Sequence, residues 1–324
     1  MRIYQSVFRE EIDGYLQLQA TAGKKILNMQ IVLSKLDAFF CENGIIERQL
    51  NEDVVNRWLG TVGGKPTNKE SYIARFRGFA RYLQSLGITA FIPEYPCIGS
   101  AYVPYVFSEE EWNLMIAEAD NLPYSEKHAH SAVQFCLLLR VLFGCGLRLG
   151  EALSLQIKDI DFAKGTLFIR HAKNDKQRFV PMDWSLVNLI SDYMKAAKSS
   201  CEKDAYLFTN PATNARFSFG WARKRMAYIM KAAGIVFVKS TPNERGPCLH
   251  CLRHTFVLRS FGQLTESIPS FEDIAPFVSV YLGHSDVMET DKYLQGSYEL
   301  YSADQQKINT FVKANSIFPE VIDE

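Results

Sequence analysis

The stretch Ile92–Pro104 constrains this chain more than any other. It holds Pro93, Pro96, Gly99 and Pro104 within thirteen residues. Proline fixes φ and lacks a backbone N–H, so neither a helix interior nor a central strand runs through such a segment. The stretch therefore reads as a linker, residues 96–104, between a domain of residues 1–95 and one of residues 105–324. Two domains are also the natural expectation for 324 residues, and 47% hydrophobic residues are enough to build a core in each.

The first domain reads as helical. In Lys25–Cys41 the apolar residues Ile26, Leu27, Ile31, Leu33, Leu36 and Phe40 recur at helical spacing. Asn51-Glu-Asp precedes a short helix over Val54–Leu59, with acids in its first turn. Asn68–Leu86 returns to the helical period with Tyr72, Ala74, Phe76, Phe79 and Leu83, and Arg75, Arg77 and Arg81 lie among them. Such arginines either contact phosphates or are simply solvated.

Beyond the linker, Ser108-Glu-Glu-Glu111 fits a capping box that opens a helix over Glu109–Ala119. Ser131–Phe143 reads as a buried helix. Over Asp159–Met182 the period changes: Ile160/Phe162, Thr166–Ile169 and Phe179–Val180 are short strands broken at Lys164-Gly165 and Asn174-Asp175. The helical period resumes over Leu186–Ala197, Phe219–Ala233 and His250–Phe261, with shorter helices to the end. The expected fold is mainly α with a small antiparallel β-sheet.

Net charge is zero, but its distribution is uneven. Residues 141–263 carry 19 basic and 9 acidic side chains, a balance of +10, whereas residues 264–324 carry 3 and 11, a balance of −8. Local field, not total charge, attracts a phosphate backbone, although a basic stretch can also be a solvated surface. No apolar run approaches the roughly 18 residues that span a bilayer. MRIYQSVFREEIDGYLQ lacks the apolar core of a signal peptide. A cytoplasmic protein without a membrane partner is expected. The seven cysteines (Cys41, Cys97, Cys136, Cys145, Cys201, Cys248 and Cys251) have no framework spacing and are expected as free thiols.

Several residues then stand out, each with a plain alternative. Gly144-Cys-Gly-Leu-Arg-Leu-Gly-Glu puts Arg148 in a small, apolar segment, where an unpaired charge is costly. Its partner is either Glu151, three residues on, or an anionic ligand. His250 and Arg253 lie three apart on one helix face. Leu282-Gly-His284 is followed nine residues later by Tyr293, which alone reads as a packing residue. Lys173 sits beside a hairpin turn, where lysines are usually solvated. Cys248, His250, Cys251 and His254 offer zinc donors, but their spacing is compressed and lacks a second pair at knuckle distance.

Taken in order, the segments GLRLGEALSL, HAKNDKQRFVPM, HCLRHTF and LGHSDVMETDKYL resemble the tyrosine recombinase (phage integrase) family over about residues 105–300. The resemblance implies that family's catalytic fold and a two-domain clamp on double-stranded DNA, with a SAM-like core-binding domain in residues 1–95. It implies Tyr293 as the nucleophile, Arg148 and Arg253 on the phosphate, His250 and His284 as further hydrogen-bonding residues, Lys173 as the acid for the leaving 5′-oxygen, and Glu151 in support. Arg75, Arg77 and Arg81 would contact DNA. No ATP, metal or other cofactor is implied, and the sequence contains no P-loop and no obvious acidic cluster for two metals.

The implied activity is site-specific strand exchange by a tetramer, with the acidic tail Gln295–Glu324 docking on a neighbouring protomer or packing in cis. The other readings are a type IB topoisomerase-like enzyme and a non-catalytic DNA-binding relative. About 20 residues precede the first long helix, too few for a separate arm-binding domain, which leaves Xer-like chromosome-dimer resolution, mobile-element integration, inversion or cassette capture, and the insertion before His284 favours a mobile element. Thirty residues separate Arg253 from His284, longer than the family usually has, and the excess is expected in a loop over Gly262–Ala275.

Overall fold

The computed structural model describes residues 3–63, 66–95, 104–122, 130–170, 177–197, 202–210, 213–239, 246–267 and 271–283. The chain divides into two compact units, Met1–Ser100 and Ala101–Glu324.

The first unit is built on α1 (Arg9–Thr21), α2 (Leu27–Glu42), α3 (Glu52–Thr61) and α4 (Pro66–Ser85). Helix α1 begins within the residues expected to precede the first long helix. Phe8, Ile12, Tyr15 and Leu16 give it a buried stripe at helical spacing. Asn51 caps α3, its side chain accepting from the Val54 N–H at 2.9 Å. The core joins Phe8, Leu33, Leu36, Phe40, Trp58, Phe76 and Phe79. Buried Asp37 of α2 accepts the backbone N–H groups of Gln5 at 3.1 Å and Ser6 at 2.8 Å, which ties the N-terminal segment to the bundle.

The second unit contains α5 (Glu109–Asp120), α6 (Ser131–Cys145), α7 (Leu149–Leu153), α8 (Trp184–Ala197), α9 (Phe219–Ala232), α10 (Leu249–Ser267) and α11 (Phe271–Leu282). The expected capping box is present: Ser108 accepts from the Glu111 N–H at 3.1 Å, and Glu111 accepts from the Ser108 N–H at 2.9 Å. Helix α6 is the centre of the unit. Leu138, Leu139, Val141 and Leu142 are fully buried, and α5, α7, α8 and α10 pack around it. A helix apolar on nearly all sides is stable only when surrounded in this way.

Three strands, β1 (Ile160–Asp161), β2 (Thr166–Ile169) and β3 (Arg178–Pro181), form an antiparallel sheet in the order β1-β2-β3. Leu167 pairs with Val180, and Ile169 with Arg178. Leu167, Ile169 and Val180 are buried, so the period-two pattern turns one face to the core. The fold is thus mainly α with a small antiparallel sheet, as expected.

One expectation fails. Gly262–Ala275 is not a loop: α10 continues through Ser267 and α11 starts at Phe271. Phe256, Val257, Phe261, Ile274, Val278 and Leu282 form a shared apolar cluster, with Leu264 packed against it. That packing carries both helices through residues whose composition suggested a loop.

If α6 organises the second unit, Leu138→Ala should cost about 2–5 kcal/mol, because Leu138 is fully buried. Urea unfolding of the two proteins at neutral pH measures it.

Candidate active site

The site begins where α6 stops. Gly146 adopts the left-handed conformation, φ +58°, and a Cβ there would lie 2.3 Å from the Phe256 ring. Both the dihedral and the space require glycine. Leu147 is buried next, and Arg148 takes the N-cap position of α7.

Arginine has no acceptor with which to cap a helix, so the cap comes from the other side. Glu151, at the third helical position, accepts the Arg148 backbone N–H at 3.0 Å and its Nη1 at 3.0 Å. Of the two partners the sequence allows Arg148, Glu151 is the one the described residues supply. The carboxylate is almost completely buried, its side chain 2% exposed.

Two more guanidinium groups approach the same carboxylate. Arg178 of β3 grips it in bidentate fashion, Nη2 to Oε2 at 2.9 Å and Nη1 to Oε1 at 3.3 Å. Arg253 of α10 comes within 4.0 Å. Burial alone would raise the Glu151 carboxyl. The hydrogen bond and charge of Arg178, the Arg148 N–H and the Arg253 charge outweigh it and hold the group below its usual range.

Arg253 is fully buried and joins two turns. Its Nη1 donates to the Gly146 carbonyl at 2.8 Å, and its Nη2 to the Leu282 carbonyl at 2.9 Å. The first carbonyl leads into Arg148 and the second into Gly283, which ends α11 in the left-handed region at φ +66°. Arg178 reinforces the second turn, its Nε donating to the Tyr281 carbonyl at 2.8 Å. The Tyr281 hydroxyl in turn donates to the Cys145 carbonyl at 3.2 Å. One network therefore ties the ends of α6 and α11 to the first half of α10.

His250 lies in the first turn of α10. Partial desolvation and the nearby charges of Arg253 and Arg148 push it down to about 4, so its ring is neutral at neutral pH. The ring of His254, one turn on and buried, stands edge-on to it with centroids 4.9 Å apart. Burial, then His250 and Arg253, push His254 down to about 3. Cys248 and Cys251 form a sulfur pair at 3.4 Å. Among the described residues, no three His, Cys, Asp or Glu side chains are grouped to hold a metal ion.

Four of the anticipated site residues, Arg148, Glu151, His250 and Arg253, are thus brought together. Lys173, His284 and Tyr293 lie outside the described residues, as does the tail Gln295–Glu324. In the first unit, Arg75 donates to the Ser71 carbonyl at 2.7 Å. Arg77 donates to the Pro93 carbonyl and lies 5.5 Å from the Tyr95 ring. Arg81 is exposed. Arg77 and Arg81, four residues apart, share a face of α4, and Arg75 lies about 160° around the helix from Arg77.

A model of the phage integrase family matches residues 106–299. The chain belongs to the phage integrase family. It is 29% identical over 304 residues to a Sinorhizobium fredii protein named integrase/recombinase y4rB, a match covering 91% of this chain and 95% of that protein. It is 29% identical over 192 residues to tyrosine recombinase XerA of Pyrococcus horikoshii, covering 59% of this chain and 56% of that protein. Its fold matches that of the XerH site-specific recombinase bound to palindromic difH substrate, with a TM-score of 0.65 at 20% identity, over 86% of this chain and 79% of that one. This phage integrase family member is a tyrosine site-specific recombinase. Among its described residues, no helix is long and apolar enough to cross a membrane.

Arg178 and Tyr281 were absent from the sequence expectation. Arg178 left a trace: it shares strand parity with buried Val180, and a charge on an inward-facing strand position calls for an anionic partner. Tyr281 left none, since its partner is a main-chain carbonyl 136 residues away.

Three outcomes are expected. Glu151→Gln removes the charge that three guanidinium groups share and should destabilise the fold by about 3–5 kcal/mol. Because the Glu151 carboxyl is held low in the folded state, its contribution is fully present above the ordinary carboxylate range and lost as pH falls through the folded value. Urea unfolding at successive pH values should therefore show wild-type stability dropping more steeply than that of Glu151→Gln below about pH 4. Gly146→Ala should cost about 2 kcal/mol or more, from the left-handed backbone and the Phe256 ring together.

Proposed function

We propose that this recombinase cuts and rejoins DNA strands through a 3′-phosphotyrosine at Tyr293, without ATP or metal. The observation that carries the reading is the cluster of Arg148, Arg178 and Arg253 around one carboxylate, with a neutral His250 beside it. Guanidinium groups match the geometry of phosphate oxygens, and fixed cations are most effective where charge builds up during phosphoryl transfer. Arg148 keeps 20% of its side chain exposed, so it can reach a phosphodiester without losing Glu151.

In this reading the Tyr293 oxygen attacks the scissile phosphorus. A phosphotyrosine bond forms and the bond to the 5′-oxygen breaks. A free tyrosine has a pKa of about 10, so forming phenolate near pH 7 costs about 4 kcal/mol. His250 takes the phenolic proton. Desolvation and the Arg253 and Arg148 charges keep this histidine weakly basic, and a bound phosphodiester offsets the charges. Lys173 gives a proton to the leaving 5′-oxygen, and His284 donates a hydrogen bond to the phosphate. The covalent link conserves the energy of the broken bond, so the reverse attack by a 5′-hydroxyl reseals the strand.

Two duplexes have four strands, so exchange between them takes four protomers, one per cut. The tail Gln295–Glu324 belongs to the −8 region of the sequence and docks on the +10 region of a neighbouring protomer. Residues 1–95 bind DNA as the core-binding domain, residues 96–104 link it, and residues 105–324 carry the chemistry. Arg81 is the arginine of α4 best placed for a phosphate, because Arg75 and Arg77 already serve local carbonyls. The protein acts in the cytoplasm on a mobile element or a Xer-type site.

The direct test of the strand-cutting step is a nicked suicide substrate, which wild type should trap covalently and Tyr293→Phe should not. Equal behaviour of the two proteins contradicts the reading. Deleting residues 303–324 should weaken assembly on paired sites more than binding to one site, as gel-shift titration measures. Arg81→Ala should lower the slope of log affinity against log salt by about 1, with Arg75→Ala leaving it nearly unchanged.

A further inference from the structure

We propose that Cys248 and Cys251 are a redox pair that closes to a disulfide by exchange with a low-molecular-weight disulfide, and that closing it suppresses strand cleavage through His250. The second half rests on the function proposed above; the first does not.

The two residues form Cys-Leu-His-Cys across the start of α10. Cys248 immediately precedes the first helical residue, and Cys251 occupies the third helical position. The Cys251 N–H donates to the Cys248 carbonyl at 2.9 Å, which folds the turn and brings the sulfurs to 3.4 Å. Closing them to a bond requires a contraction of roughly 1.4 Å. Both thiols are free, and the other described cysteines, Cys41, Cys136 and Cys145, lie in other helices.

The pair is chemically unequal. Cys248 is exposed, whereas Cys251 is buried. A hydrogen bond shared between the two sulfurs lowers the Cys248 thiol and outweighs its partial desolvation. The backbone N–H groups of Cys251 and His250 and the charge of Arg223 on α9 add to it, and the thiol falls to about 6. Cys251 moves the opposite way, through the same shared hydrogen bond and its burial. Cys248, the exposed sulfur and the one whose thiol is lowered, is therefore the first to meet a dissolved disulfide. An accessible thiolate at a helix N-terminus with a buried partner is the arrangement that attacks disulfides.

The exchange balances in two steps. The Cys248 thiolate attacks one sulfur of the small disulfide, forms a mixed disulfide and releases one thiolate. Cys251 then attacks the Cys248 sulfur, and the second small thiol leaves with the Cys251 proton. The protein pair loses two electrons, and the oxidant gains them as it becomes two thiols. In a reducing compartment such a bond is transient, which suits a signal better than a structural link. His250 lies between the two cysteines, so contraction of this turn moves its ring relative to Arg148 and Arg253.

The experiment equilibrates the full chain in reduced and oxidised glutathione, quenches with acid, alkylates and digests with trypsin. The peptide Gly246–Arg253 contains these two cysteines and no other. It should appear unalkylated and lighter by two hydrogens. Cys251→Ser should stop at a glutathione adduct on Cys248, and Cys248→Ser should leave Cys251 unreacted. A peptide that stays doubly alkylated in excess oxidised glutathione, or a Cys248→Ser variant that reacts as fast as wild type, overturns the pair.

Trapping of the suicide substrate should fall about a hundredfold or more on oxidation, the usual contribution of a positioned general base. It should recover with dithiothreitol and be insensitive to oxidant in Cys248→Ala. A disulfide that forms without changing trapping overturns the coupling to His250. If reduced protein traps no DNA at all, the recombinase reading fails, and the peptide masses still decide the redox pair.

Discussion

The buried Glu151 carboxylate is the contact on which the second unit depends. It caps α7 from inside, neutralises part of Arg148, and receives the bidentate grip of Arg178 from the sheet. Without it, several guanidinium groups would be crowded together in a partly buried space, a costly arrangement. With it, they are held at fixed positions around a single anion. In the proposed function a second anion, a phosphodiester, joins this cluster of cations that are already in place.

Arg253 extends that arrangement into the backbone. It is fully buried, yet its bonds run to the carbonyls of Gly146 and Leu282. Those carbonyls belong to the left-handed turn that leads into Arg148 and to the last residue before the one that leads into His284. A change at Arg253 therefore shifts two turns together, whatever it also does to phosphate contacts. Structure and chemistry are not separable at this residue. In functional terms, Arg253 is both a candidate phosphate ligand and the tie that keeps the other candidates in register.

The sequence was most legible where the cause of structure is local. Ser108 and Glu111 cap a helix they both belong to, and the period-two pattern of Thr166–Ile169 turns Leu167 and Ile169 inward without help. Arg148 and Glu151, three residues apart, could be paired from spacing alone. Legibility failed where the cause is distant. Arg178 meets a carboxylate 27 residues earlier, and Tyr281 meets the end of α6. By composition alone, without its packing neighbours, the stretch Gly262–Ala275 reads as a loop. Phe261, Leu264 and Ile274 have helical partners that only packing reveals. Tyr293 was singled out by the order of motifs around it, not by any property of its own.

In the proposed reaction Tyr293 becomes covalently joined to DNA. The most direct measurement is fragmentation mass spectrometry of the protein–DNA adduct after nuclease and trypsin digestion. The tryptic peptide Tyr293–Lys307 also contains Tyr298 and Tyr301, which serve as internal controls. A nucleotide phosphate is expected on Tyr293 and none on the other two. A phosphate on Tyr298 or Tyr301, or on any residue outside this peptide, would contradict it.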